Sequence, residues 1–276
     1  MRITTDTIEA PADLKPFIKG FWHIAAIGTE GEISPMQCCL PDGLTELIIH
    51  LNPKRHSGRL GGEWMTFPEA YLVGLMSEPV YWNMEAGGEL FGISIKPETF
   101  VTLFDLPINE IADRFAKVED FFGNLLGDLV SQIQQAPDNA ARAGLAAQYF
   151  RNRRAAHEDR QPYFFRALEY IRKSTVLEPM EDICEQVFVG KRQLQRAFQD
   201  NLGLSAKTYG RIIRFSKAYE FSFENPQVKL TEIAHEFGYA DQSHFIRDFK
   251  AFTGGNPKAF MAKYEFRARM RMALSN

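Results

Sequence analysis

Two sets of polar residues, about fifty positions apart, have the types and spacing for recognising nucleic acid. Lys191, Arg192, Gln195 and Arg196 fall within one predicted helix, 191–199. Gln242, Ser243, His244, Arg247 and Lys250 fall within another, 241–250. Helical spacing puts each set opposite two apolar anchors four residues apart, Leu194 with Phe198 and Phe245 with Phe249. Arg can pair bidentately with guanine and Gln with adenine, while Ser and Lys can serve phosphate or base edges. A solvated amphipathic face is the plain alternative for either helix alone. Two matched faces in the more basic part of the chain favour duplex DNA.

The match is an internal repeat. Ile183-Cys184 aligns with Ile233-Ala234 at offset 50. Leu194/Phe245, Arg196/Arg247, Phe198/Phe249, Gly203/Gly254, Lys207/Lys258 and Tyr209/Phe260 align at offset 51, so the second copy holds one extra residue in its turn. Two copies are too few for a solenoid and read as a duplicated supersecondary unit. In each, a short first helix (180–186 or 230–236) offers a small residue, Cys184 or Ala234, where a second helix can cross closely. Gly238 follows Ala234 by four, where a left-handed turn is best served by glycine. Each copy therefore has the marks of a helix-turn-helix.

The first half offers other chemistry. Trp22, His23, Trp64, Tyr81 and Trp82 could line an apolar ligand pocket, although each could equally fill a core. His23, Cys38, Cys39, His50 and His56 match no paired metal-ligand spacing, so no metal is expected. A Pro-Asp-Gly turn accounts for Asp42 without catalysis. No GxSxG, phosphate-cradling glycine loop, HExxH or CxxC occurs, and no cofactor is expected. The expectation is a protein that is not an enzyme. The rival reading is a DNA-repair or other enzyme with a reactive Cys38 or Cys39 delivered to DNA by the second half.

Several elements must position these residues. From about Pro35 to Pro97 the chain reads as short strands: LTELIIHL (44–51), AYLVGL (70–75), PVYWNM (79–84) and LFGISIK (90–96), separated by Gly61-Gly62, Gly87-Gly88 and prolines. Phe91, Ile93 and Ile95 alternate, which predicts one buried face. The strand spacing fits a small barrel or sandwich. Helices are expected after Pro97, with Glu98 at a favourable dipole end. A stripe of Phe122, Leu125, Leu126, Leu129, Val130 and Ile133 follows, then a helix over 138–156 ending in the basic run 151–154. The stripe reads as core, with a homodimer face as the sharper alternative. The polar segment 157–162 marks the boundary between a regulatory domain, 1–157, and an all-α domain, 163–276. The fold class is thus α+β in two domains.

Charge follows the same division. Residues 163–276 carry 18 Lys and Arg against 13 Asp and Glu, a net +5, whereas residues 1–162 carry 14 against 22, a net −8. Such asymmetry fits a polyanion-binding module joined to something else. The composition, 45% apolar and 24% charged, excludes a disordered or fibrous chain. No run of eighteen apolar residues suggests a membrane span, and the first residues lack a secretory h-region. Three cysteines, two adjacent, suit a reducing cytoplasm.

Residues 163–265 resemble the DNA-binding domain of the AraC/XylS family of bacterial transcription regulators. The most specific stretch is LTEIAHEFGYADQSHFIRDFKAFTGGNPKAF (230–260), and the first unit fits through LQRAF (194–198), Gly203 and Tyr209. The resemblance implies two helix-turn-helix units joined by a long helix, here about 206–222, reading successive major grooves about 34 Å apart. It also implies RNA polymerase as a partner if the regulator activates. Gly190 replaces the usual Ser cap, Phe188 takes the place that Gly238 fills in the second unit, and Asn256-Pro257 replaces Thr-Pro. A distorted first turn is the expectation. Asp241 is expected to cap its own helix.

Residues 11–123 resemble an N-terminal domain often attached to such units. The likeness is carried by PADLKPFIKGFWH (11–23), LPDGLTELIIHL (40–51), LVGLMSEPV (72–80) and FGISIKPETFVTLFDLP (91–107). It implies a sensory or regulatory role, with a small-molecule effector as partner.

Overall fold

The computed structural model describes residues 1–60, 62–155, 162–257 and 259–260. Ten strands form its first part: β1 (Arg2–Glu9), β2 (Ile18–Ile27), β3 (Gln37–Cys39), β4 (Thr45–His50), β5 (His56–Leu60), β6 (Met65–Thr66), β7 (Ala70–Val73), β8 (Val80–Met84), β9 (Glu89–Ile95) and β10 (Phe115–Lys117). They make two antiparallel sheets, one ordered β1-β2-β9-β4-β7-β10 and the other β3-β8-β5-β6. Of the barrel or sandwich expected, the two-sheet arrangement is the one formed, and no closed barrel is made among the described residues. The strands expected from Pro35 onward are joined by β1 and β2, paired from Arg2↔Ile27 to Glu9↔Gly20.

The large sheet is covered on both faces. One face, with Phe21, Leu47, Ile49, Phe91 and Ile93, joins a core containing Phe100, Phe122, Leu126 and Phe150 from the helical layer. The other face, with Trp22, Ile24, Ile48, Tyr71 and Leu90, meets Trp82 and Met84 of the small sheet. Period-2 alternation at Phe91, Ile93 and Ile95 foresaw only the first face. Leu90 and Ser94, at the alternate positions, are just as buried, because the second sheet lies over that face.

The helical layer departs from expectation after Pro97. Phe100–Phe104 forms a single π-helical turn, and Glu98 is fully buried beside Arg172 instead of serving a helix dipole in solvent. The stripe is broken into α1 (Val118–Phe122), a 3₁₀ turn (Gly123–Leu126) and α2 (Gly127–Gln135), with Gly123 at φ 56° making the break. Phe122, Leu126, Leu129 and Ile133 are core, so most of the proposed dimer face is consumed; Leu125 remains exposed. In α3 (Asn139–Ala155) the basic run turns back onto the body. Arg151 pairs with Asp13 at 2.8 Å and Arg153 donates to the Leu103 carbonyl.

Six helices follow among the described residues: α4 (Pro162–Lys173), α5 (Met180–Val187), α6 (Lys191–Leu202), α7 (Ala206–Glu224), α8 (Leu230–Glu236) and α9 (Gln242–Thr253). The segment 157–161, where the boundary was expected, lies outside the described residues, as do 261–276 and Gly61. The β-rich half touches α6 and α9 near their C-terminal ends. The Ile108 amide donates to the Asn201 carbonyl of α6 at 2.8 Å, and the Tyr81 hydroxyl to the Thr253 carbonyl of α9 at 3.2 Å. Phe17 and Phe165 meet edge to face across the same junction.

Candidate nucleic-acid interface and ligand cavity

The two helix-turn-helix units are built alike. After α5, Val189 N–H donates to the Cys184 carbonyl at 3.2 Å; after α8, Tyr239 N–H donates to the Ala234 carbonyl at 2.8 Å. Between them stand Phe188 at φ 58° and Gly238 at φ 64°. The first turn is therefore not distorted. Phe188 accepts the left-handed backbone that glycine takes in the second unit, at a cost of roughly 1–2 kcal/mol for an L-residue. Its side chain is 86% exposed, so no packing offsets that cost.

The caps differ as the residue types require. Gly190 caps α6 in extended conformation without a side chain, while the Asp241 carboxylate accepts from the His244 amide at 2.7 Å. Leu194, Phe198, Phe245 and Phe249 are buried completely and seat both helices. Lys191, Arg192, Gln195, Arg196, Gln242, Ser243, Arg247 and Lys250 are all exposed. His244 is half-buried and meets Tyr239 edge-on at 5.2 Å, so it sits less openly than its neighbours. Lys191 pairs with Glu181 at 2.7 Å and Arg196 with Asp200 at 3.1 Å. Exposed pairs of this kind are worth little and can be exchanged for phosphate.

The exposed polar face of α9 has a buried support on its other side. Asp248 accepts from Arg211 at 2.7 Å and from Arg214 at 2.9 Å, which ties α9 to α7. Arg214 also lies over the Tyr239 ring, 3.7 Å from its centre. These are charged residues at helical positions, and pattern alone assigns charge to the surface. Only a count of polar residues on the inner face of α9 could have singled out Asp248.

A cavity of about 550 Å³ lies between the large sheet, the small sheet and helices α4 and α7. Trp22 and Trp82 line it. His23, Trp64 and Tyr81 do not. His23 points from the opposite face of β2 and meets Glu89 at 3.0 Å; Trp64 is 44% exposed beneath Arg59; Tyr81 reaches out to Thr253. Glu46, Ser94, Lys96 and Tyr71, which were not expected there, also line the cavity, placed on that side by strand parity, as does Phe67 just after β6. Arg172 and Lys217, from the helical half, complete the wall.

Of His23, Cys38, Cys39, His50 and His56, two histidines come together and the others lie apart. His50 and His56 stand 3.3 Å apart, ring nitrogen to ring nitrogen, with the Tyr71 hydroxyl 3.2 Å from His56 Nδ1. Burial pushes the His50 imidazole down to about 4. Cys38 is buried in the main core and Cys39 lines the cavity. Among the described residues no three His, Cys, Asp or Glu side chains are grouped to hold a metal ion. No described helix is long and apolar enough to cross a membrane.

Comparison with known proteins follows this division. Residues 183–263 match a family model described as a helix-turn-helix domain, and residues 6–117 match a domain of unknown function (DUF6597). The Msm operon regulatory protein of Streptococcus mutans serotype c (strain ATCC 700610 / UA159) is 27% identical over 81 residues, 29% of each chain. The chain thus spans under a third of the length of that relative. Among solved structures, ToxT from Vibrio cholerae strain SCE256, with an unsaturated fatty acid bound, is similar over 94% of each chain at 13% identity and a TM-score of 0.46. The C-terminal domain of AraT, a response regulator from Geobacillus stearothermophilus, is 29% identical with a TM-score of 0.35. That match covers 38% of this chain and 88% of that one.

Proposed function

From the premise that its C-terminal region is an AraC-type helix-turn-helix domain, we propose that the chain is a sequence-specific DNA-binding regulator of transcription. The carrying observation is the duplication. Two turns of the same backbone geometry present two exposed, polar recognition faces joined by the 19-residue α7. At 1.5 Å per residue that helix spans roughly 28 Å, comparable to one turn of DNA. Phosphate contacts from Lys and Arg supply sequence-independent affinity, and Arg192, Gln195, Arg196, Gln242, Ser243 and Arg247 the discrimination. The N-terminal half senses a small molecule in the cavity, whose wall includes Arg172 and Lys217 of the DNA-binding half. In this reading the protein works in the cytoplasm by binding and not by catalysis, and meets RNA polymerase where it activates.

The thiol-enzyme reading has no observation in its favour, since Cys38 is buried and Cys39 faces the cavity instead of the recognition helices. The test is selection of bound sequences from randomised duplex DNA with the full chain at a stated salt concentration. Two half-sites about one helical turn apart are expected. A failure to enrich any sequence, with and without metabolite mixtures, overturns the assignment.

A further inference from the structure

Charged side chains line one end of the cavity wall, while His56 and Tyr71 sit with Phe67 and Trp82 at the other. On the large sheet Glu46 and Gly20 both stand opposite Ser94, and one side-chain repeat further on come Trp22, Ile48 and Gly92, then Ile24 and Leu90. In the other direction along the same face comes Lys96, at the end closed by Arg172. Trp22 Nε1 donates to Glu46 Oε2 at 2.9 Å, and the Ser94 hydroxyl reaches both Glu46 oxygens at 3.0 Å. Gly92 makes this possible, because a Cβ there would come within 2.0 Å of the Trp22 ring. A carboxylate is thereby fixed at the border between a polar end and a deep end walled by Trp22, Trp82 and Phe67.

Glu46 at that border and Lys96 beyond it ask for opposite partners. A carboxylate only accepts and has about four lone-pair sites, so a group approaching Glu46 must bring a donor. The Lys96 ammonium forms no hydrogen bond or ion pair among the described residues. Burial first, then the Arg172 charge, hold it below the usual lysine range. Lys96 and Ser94 are one side-chain repeat apart, about 7 Å, a distance two flexible side chains can close on adjacent groups of one ligand.

We propose that the cavity binds an α-amino or α-hydroxy acid with a large aromatic or apolar side chain. The acid group meets Lys96, the ammonium or hydroxyl donates to Glu46, and the side chain lies among Trp22, Trp82 and Phe67. This rests on the sensing reading of the cavity and is independent of DNA recognition.

A four-member series in the full chain tests it. With Trp64→Phe, the two remaining tryptophans, Trp22 and Trp82, both report from the cavity wall. Phenylalanine and phenyllactic acid should change their emission at concentrations at least tenfold below those needed for phenylpropionic acid, which lacks the donor, or phenethylamine, which lacks the acid. Glu46→Gln should erase the preference for phenylalanine over phenylpropionic acid, and Lys96→Met should weaken the acids but not phenethylamine. Because the series runs on a chain with Glu46 and Lys96 intact, it stands even if those variants fail to fold. Equal affinities across the series would overturn the ligand class while leaving a sensing cavity. Silence from all four would also overturn it, and the effect of metabolite mixtures on DNA affinity then decides the sensing reading separately.

Discussion

Arg172 of α4 and Glu98 of the β-rich half face each other in the interior, joined by both guanidinium arms, with the Tyr209 hydroxyl accepting a further bond from Arg172 at 3.0 Å. Glu98 is fully buried and Arg172 nearly so. Among the described residues the pair is the most heavily desolvated charge contact between the two halves, and it borders the cavity. Burying both charges is costly, so the net worth of the pair is small, but removing one partner strands the other. Glu98→Gln is therefore expected to destabilise the chain by about 3 kcal/mol, within the range for a broken buried pair. Urea unfolding followed by circular dichroism measures this. A loss under about 1 kcal/mol, the value of an exposed pair, would mean that water reaches Arg172.

His50 gives the fold an acid sensitivity of predictable sign. Burial depresses its folded value to about 4 from 6.5, with the charge of Glu69 opposing weakly. The unfolded chain then binds more protons than the folded one between those values, so stability falls as pH drops through that window and the loss is complete near pH 4. The full effect is about 3 kcal/mol. The check is the difference in unfolding free energy between the natural chain and His50→Leu at pH 7 and pH 4.5. The natural chain should lose more on acidification. Parallel losses would show that His50 is solvated enough to titrate normally.

Local periodicity made the second half legible. The anchors Leu194, Phe198, Phe245 and Phe249 sit at helical spacing, and the repeat offset carried the turn positions with them. The first half was less so. β1 and β2 lie before the region that read as strands: β1 sets Thr4, Asp6 and Thr7 among few strong apolar residues, whereas β2 is apolar on both faces and shows no clean alternation. Trp22 and Trp82 were found for the cavity because they are large, whereas Glu46, Ser94 and Lys96 were not, because strand register alone puts them there. Glu98 with Arg172, and Asp248 with Arg214, are pairings over 74 and 34 residues that no local pattern encodes.

The strained turn makes its own prediction. Phe188 is held at φ 58° with its ring in solvent, where Gly238 serves the other unit. Phe188→Gly removes a left-handed penalty of roughly 1–2 kcal/mol and loses part of that gain to the greater freedom of glycine in the unfolded chain. A net gain of about 0.5–1 kcal/mol is expected from denaturant midpoints at constant m value. Phe188→Ala keeps the Cβ and should gain nothing. A loss of stability in Phe188→Gly would mean that the ring makes contacts the folded monomer needs.

The recognition faces separate two kinds of DNA contact. Arg247 projects from the middle of α9 with no cap or ion pair among the described residues, while Lys191 begins α6 and already holds an exchangeable acid, Glu181. A base contact at Arg247 predicts that Arg247→Ala weakens binding to the selected site by about 1–3 kcal/mol and relaxes preference at one position. A phosphate contact at Lys191 predicts that Lys191→Ala weakens selected and random duplexes alike and lowers the salt slope by about one. Fluorescence anisotropy on both duplexes across a salt series distinguishes them. Equal losses on both duplexes for Arg247→Ala would make Arg247 a phosphate contact and move sequence readout in the second unit to Gln242 and Ser243.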